Sequence, residues 1–234
     1  MWDWGSYSPM AGSIDKGFKR LRNSAVLATA SSAISAALFP LERVMGRLSA
    51  GLLAELLVLV GLIAVAGLVA LVLSLASWIY KVLGWSDMCR SRLRRFYCIT
   101  RLAVLVGPIV AVALIMGGVA VLSLELLAKG GTPSLVLRNY RGGAPAGLFL
   151  AGLLLLASAN VIEGVAILDL GLLTRAKLLV AGSITYLLST GLSPVAMLLG
   201  RLEGLSNLVS IVAYTLLAVG FHKTRWEGEA HEAE

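Results

Sequence analysis

An all-α, polytopic bundle of six transmembrane helices is the fold class that this 234-residue sequence predicts, and three observations carry the prediction. Charged residues make up only 14% of the chain, while the AVILMFWYC set makes up 58%. Six stretches, 23–41, 56–80, 102–124, 142–162, 178–200 and 204–221, contain no Asp, Glu, Lys or Arg. The 20 Lys and Arg residues divide 14 to 6 between alternate ends of those stretches. An average soluble domain is roughly 25% charged, so this chain has too few charges to cover a soluble surface. Disorder is excluded as well, because it requires low hydrophobicity.

The charge-free stretches run from 18 to 25 residues, and a bilayer core about 30 Å thick needs roughly 20 apolar residues at 1.5 Å rise each. A soluble bundle would place charges along one face of each helix. These stretches are apolar all round, and the ten-residue alternation of membrane strands is missing. With their flanks, the expected spans are 23–41, 52–80, 102–128, 146–168, 178–200 and 204–221.

Taken in order, residues 1–22 read as an N-terminal interfacial segment. Ile14, Phe18 and Leu21 recur at i, i+4 and i+7 with cations between them, which suits a helix lying in the headgroup layer. A signal peptide is the weaker reading, because a long aromatic segment precedes the basic region. Span 1 carries two stripes of small residues, Ala25, Thr29, Ala33, Ala37 and Ala28, Ser32, Ala36. Such stripes let backbones approach closely, for bundle packing first and for a partner subunit second. Span 3 contains Gly107-Pro108 and span 5 contains Pro194, so both Pro108 and Pro194 are candidate kinks. The loop 129–145, KGGTPSLVLRNYRGGAP, reads as flexible, and residues 222–234 as an acidic tail. Connection lengths in the two halves do not match, so no inverted repeat is expected.

Orientation follows the cations. The cation-rich side holds Lys16, Lys19, Arg20, Arg22, the 81–101 connection, Arg175, Lys177, Lys223 and Arg225. Both termini are therefore expected in the cytoplasm. Trp2, Trp4, Trp78, Trp85 and Trp226 fall near that same boundary, where an amphipathic ring favours the headgroups.

The candidate chemistry is sparse. Glu163 lies inside the cytoplasmic end of span 4, with Asn160 three residues earlier on the same face. A charged acid at a helix centre costs roughly 2.5–3.5 kcal/mol on insertion scales, so Glu163 is expected to face the bundle. Its candidate partners are Ser183, Thr185, Tyr186, Tyr214 and Thr215. A hydrogen-bonded packing role comes first for this pair, and an ion, proton or substrate site second. Glu55, Glu125 and Asp169 also border apolar stretches, and Glu125 and Lys129 are spaced to pair across one turn.

In KVLGWSDMCRSRLRRFYCITR, residues 81–101, the cluster Arg90, Arg92, Arg94 and Arg95 is expected to meet anionic lipid headgroups or a partner protein. Leu93, Phe96 and Thr100 suggest a helix lying on the membrane surface. If that segment is helical, Cys89 and Cys98 stand about 13 Å apart, beyond disulfide reach and on the reducing side. No metal site, cofactor or nucleic-acid partner is expected. Gly-x-Ser-x-Gly, His-Glu-x-x-His, Walker A and Gly-x-Gly-x-x-Gly patterns are all missing.

The start GFKRLRNSAVLATASSAISAAL, Gly17 to Leu38, resembles the opening of an archaeal family of multi-pass membrane proteins of unknown function. There a Gly-x-x-x-Leu-Arg-x-x-Ala-like segment leads into the first helix. The run GLLTRAKLLVAGSITYLLSTGLSPVAML is similar to that family's penultimate span. The resemblance implies the multi-pass fold and carries no site residues with it.

The expectation is a non-enzymatic component of the cell membrane that assembles with itself or with a partner subunit. The alternative is a small transporter, or the membrane subunit of one, with a polar site around Glu163. An intramembrane enzyme ranks last, because no nucleophile and base converge.

Overall fold

In a computed structural model the elements among the described residues are all helical. The structure describes residues 8–45, 53–129, 144–199 and 203–224, with side chains described for 12–38, 58–124, 127, 145–192 and 205–224. Six helices follow in order: α1 Ser8–Met45, α2 Leu53–Arg90, α3 Arg95–Lys129, α4 Ala144–Leu173, α5 Lys177–Leu199 and α6 Glu203–Lys223. Four described stretches are long and apolar enough to cross a bilayer: Val58–Arg90, Arg95–Leu124, Pro145–Leu173 and Leu205–Lys223. In α5 the described apolar stretch is the shorter Lys177–Leu192. The helix α1, rich in Ala and Ser, is less apolar than those four.

The chain divides into two compact units, one of residues 1–101 with 164–234 and one of residues 102–163. Helices α3 and α4 each contribute to both. In the first unit α1 lies against α2 and α6, and α5 against α6. Its core includes Ile14, Phe18 and Leu21 of α1, Trp85 and Met88 of α2, Leu170 of α4, Leu179 of α5, and Leu217 and Phe221 of α6.

The apolar repeat at Ile14, Phe18 and Leu21 therefore has a different use from the one its spacing suggests. All three are buried at 3% exposure inside the unit, where Phe18 meets Phe221 edge-on at 5.9 Å. Helix α1 runs through residue 22 without a break. The three are buried because α2 is long: at 38 residues it spans about 57 Å, so its last turns stand beside this part of α1.

The contact between α1 and α2 is close because glycine meets glycine. A Cβ on Gly84 would lie 3.3 Å from the Gly17 carbonyl oxygen and 2.8 Å from Leu21. Farther along, the Ser77 hydroxyl donates to the Ser24 carbonyl at 3.0 Å, and the Ser31 hydroxyl to the Ala70 carbonyl at 3.0 Å. Small side chains and short polar links are how helices associate when apolar surface gives no preference for protein over lipid. Ala25 and Ala28, two of the seven residues in the small-residue stripes, are buried in this packing, while Ala33 and Ala37 are exposed.

In the second unit α3 and α4 meet through glycines. A Cβ on Gly152 would lie 2.8 Å from the Ala111 carbonyl oxygen, and one on Gly118 2.9 Å from that of Pro145. Pro108 lies within α3, which continues past it, and α5 likewise runs on past position 194, whose side chain is outside the described residues. The side chains of Glu55, Glu125 and Lys129, most of the loop 129–145 and the tail from 225 also lie outside them.

The connection 81–101 departs most from expectation. No surface helix forms there: α2 continues to Arg90, a turn follows, and α3 starts at Arg95. Thr100 is fully buried. Because the turn reverses the chain, the 13 Å axial spacing never applies, and Cys89 and Cys98 form a disulfide with Cα atoms 4.7 Å apart.

Candidate functional site

Helix α2 carries Ser74, Ser77, Trp78 and Lys81 at steps of three or four residues, so all four share one stripe. The stripe faces Ala28, Ser31 and Ser32 of α1 and Tyr214 of α6, and together these residues line a cavity of about 180 Å3. That is far above the roughly 10–15 Å3 that a single water requires. The site lies wholly within the first unit.

Aromatic rings flank Lys81, the charged residue among the described residues of the cavity wall. The Lys81 ammonium stands 5.5 Å from the Tyr186 ring centroid and 5.6 Å from that of Tyr214. These two rings rest on each other at 5.5 Å across α5 and α6. Ammonium groups within about 6 Å of a ring face are attracted by its quadrupole, and more strongly where water is excluded. The serines differ in what they have left to offer. Ser31 and Ser77 donate to carbonyls of the neighbouring helix, whereas no hydrogen bond among the described residues engages the hydroxyls of Ser32 and Ser74.

A second polar cluster gathers where α2 ends and α3 begins. Arg20 of α1 pairs with Asp87 of α2 at 2.7 Å, and the Asp87 side chain is only 8% exposed. Asp169 of α4 accepts from Arg94 at 2.6 Å and from the Tyr97 hydroxyl at 2.9 Å. Arg22 and His222 join α1 to α6 at 3.2 Å. These contacts tie the helix ends of the first unit together.

The residues singled out in the sequence fall as follows. Glu163 is buried, at 3% exposure, and Asn160 is half-buried, as a polar pair facing protein requires. The described cavity is built from other residues. Among the expected partners, Thr185 is half-buried and Thr215 exposed, and they donate to their own helices at Ala181 and Ile211, while Ser183 donates to Val180. Arg90, Arg92, Arg94 and Arg95 are all exposed, and Arg94 is committed to Asp169. Trp85 is not at a headgroup surface: it is fully buried against Tyr97 at 5.8 Å, and its Nε1 has no partner among the described residues. Among the described residues no group of three or more His, Cys, Asp or Glu stands ready to hold a metal.

Sequence reasoning passed over Lys81 because it was assigned to the basic connection and weighed for orientation alone. The signal was nevertheless legible, as a serine stripe ending in a lysine along one face of α2. No known protein family, curated protein or solved structure matches the chain.

Proposed function

We propose that this chain is a multi-pass protein of the cell membrane, with all six helices crossing and both termini cytoplasmic, acting as a non-enzymatic membrane component. The observation that supports it is the apolar exposure of α2. Val58, Leu62, Val65 and Leu68 are 72%, 56%, 64% and 63% exposed, on several sides of one helix. Water would not tolerate that surface, and lipid covers it at no cost. The exposed Arg90, Arg92 and Arg95 at the end of the same helix then meet anionic headgroups. Kinship with the archaeal family named above belongs to this proposal.

Single cysteines introduced at 12 and 223 in a Cys89→Ser, Cys98→Ser background test the topology. Both should resist a membrane-impermeant maleimide in intact cells and react after lysis. Labelling of either one from outside overturns the orientation. Assembly with itself or a partner is tested by cross-linking in native membranes, where recovery of monomer alone counts against it.

A second reading, a small transporter or its membrane subunit, is favoured by the serine-lined cavity holding Lys81 and by the buried Glu163. Intramembrane ionisable residues mark solute pathways when they face a cavity. Uptake into proteoliposomes that is lost in Glu163→Gln, with the variant still correctly inserted, would support it. Full uptake in that variant would remove Glu163 from the pathway.

A further inference from the structure

We propose that Cys89 and Cys98 are a redox-active pair that exchanges two electrons with an anionic thiol partner from the aqueous phase. The site goes beyond both readings above, since neither assembly nor transport requires it.

Access comes first. Cys98 is exposed and Cys89 half-buried, so a thiol reaches the pair without parting the packed helices. Exposed disulfides belong to the labile class, and buried ones to the inert class.

Opening the bond does not release the turn. Ser91 N–H donates to the Asp87 carbonyl at 3.0 Å, Arg92 N–H to that of Cys89 at 3.2 Å, and the Ser91 hydroxyl to that of Met88 at 2.6 Å. Trp85 of α2 lies against Tyr97 of α3, both fully buried, and Asp169 holds Arg94 and Tyr97. These contacts keep the two Cα atoms near their 4.7 Å separation after the sulfurs part. Thiols held that close re-form the bond readily, because the ordering is already done.

Charge selects the partner. Arg95 and Arg101 stand three residues either side of Cys98 on α3, about one turn away along its face. Cys98 itself lies in the first turn of that helix, where backbone N–H groups carry partial positive charge and no acid is present. Arg90 and Arg92 follow Cys89 into the turn, and all four arginines are exposed. Acids described nearby are committed to other cations: Asp15 to Lys19, Asp87 to Arg20 and Asp169 to Arg94. The excess of cations draws in an anionic thiol and stabilises the negative sulfur that each step of exchange creates.

Exchange runs in two steps. A partner thiolate attacks the Cys98 Sγ, the more accessible sulfur; a mixed disulfide forms, the bond to Cys89 breaks, and Cys89 leaves as a thiolate that takes up a proton. A second partner thiolate then attacks the partner's sulfur in the mixed disulfide. The partner's own disulfide forms, and Cys98 leaves and is protonated in turn. Two electrons and two protons have passed from the partner thiols to the pair, and the reverse sequence returns them.

The test exposes the full chain, in maltoside detergent under nitrogen, to mercaptopropionate, mercaptoethanol or cysteamine, which are anionic, neutral and cationic. Samples are acid-quenched and alkylated at intervals, and rates are compared per thiolate. We expect the anionic thiol to reduce the pair about ten-fold faster than the cationic one at low ionic strength. Salt at about 1 M should remove that preference, as should changing Arg90, Arg92, Arg95 and Arg101 together to Gln. Circular dichroism should show the reduced chain still folded, and the disulfide of mercaptopropionate should close the pair again. The same disulfide should trap on Cys98 in Cys89→Ser, and react about ten-fold more slowly with Cys98→Ser, whose remaining thiol is less accessible.

A pair that opens only in denaturant, unfolding on reduction, equal rates for the three thiols, or faster trapping in Cys98→Ser than in Cys89→Ser would each overturn the proposal. Should a serine or glutamine variant fail to fold, the wild-type rates and their salt dependence decide.

Discussion

Arg92 and Arg175 hold left-handed backbone, at φ 53° and 52°, each where a helix ends. At Arg175 the hydrogen bonds are those of a Schellman cap: Ala176 N–H donates to Gly171 O at 2.9 Å, and Arg175 N–H to Leu172 O at 3.3 Å. A residue with a Cβ pays roughly 1–2 kcal/mol for that conformation, and glycine does not. Arg175→Gly should therefore raise stability by about 0.5–1 kcal/mol, once the looser unfolded chain is allowed for. Thermal unfolding in detergent checks it, and an unchanged or lower midpoint would show that the Arg175 side chain contributes more than its backbone loses. At this scale the sequence was a partial guide. Cations at the helix ends were visible as topology signals, but their partners, Asp87 for Arg20 and Asp169 for Arg94, come from other helices and needed the fold to bring them together.

Helices in this chain touch at glycine, and the contact decides how near they come. Gly152→Ala would put a Cβ 2.8 Å from the Ala111 carbonyl oxygen, a backbone atom that cannot rotate aside. Overpacking of this kind costs about 1–3 kcal/mol, so the variant should unfold at a clearly lower temperature. Gly147→Ala is the control, since nothing lies within 4 Å of a Cβ there. The disulfide is the other device at the scale of elements. Cys89 and Cys98 close a separation of nine residues across the turn from α2 to α3. Loop-closure entropy for so short a loop is about 2–3 kcal/mol, and Cys89→Ser should lower the unfolding free energy by up to that amount. Chemical denaturation of the oxidised chain and of the variant measures it. The spacing argument against this bond assumed an unbroken helix from 81 to 101. Nothing in the run SRLRR marks the turn with glycine or proline, and Arg92 occupies the left-handed position instead.

For the molecule as a whole, the cation asymmetry and the disulfide pull in different directions. The 14-to-6 division of Lys and Arg assigns the α2–α3 turn to the cytoplasm, where thiols are kept reduced in most cells, hyperthermophiles excepted. Both cysteines are at least partly exposed, so a reductant can reach them. In a mesophilic expression host, the cytoplasmic assignment predicts that acid-quenched, alkylated cells yield a reduced pair, and that air oxidation after lysis closes it. A pair already closed in those cells would place the turn on the oxidising side and reverse the topology.

What the sequence by itself determined is the solvent. A chain with 14% charged residues, broken into apolar runs, has to form helices, because every backbone group in an apolar medium must find its partner within the segment. The same runs led to an expectation of six helices, and six helices are present among the described residues. Only the tertiary structure decided which polar residues meet. Hydropathy is a sum along one helix and holds no information about the angle at which it faces the next. Ser74, Ser77 and Lys81 became a cavity wall, and Ile14, Phe18 and Leu21 became core, only because α2 extends past its apolar run and stands beside α1. That is a property of pairs of helices, settled by glycine contacts and interhelical hydrogen bonds far apart in the chain.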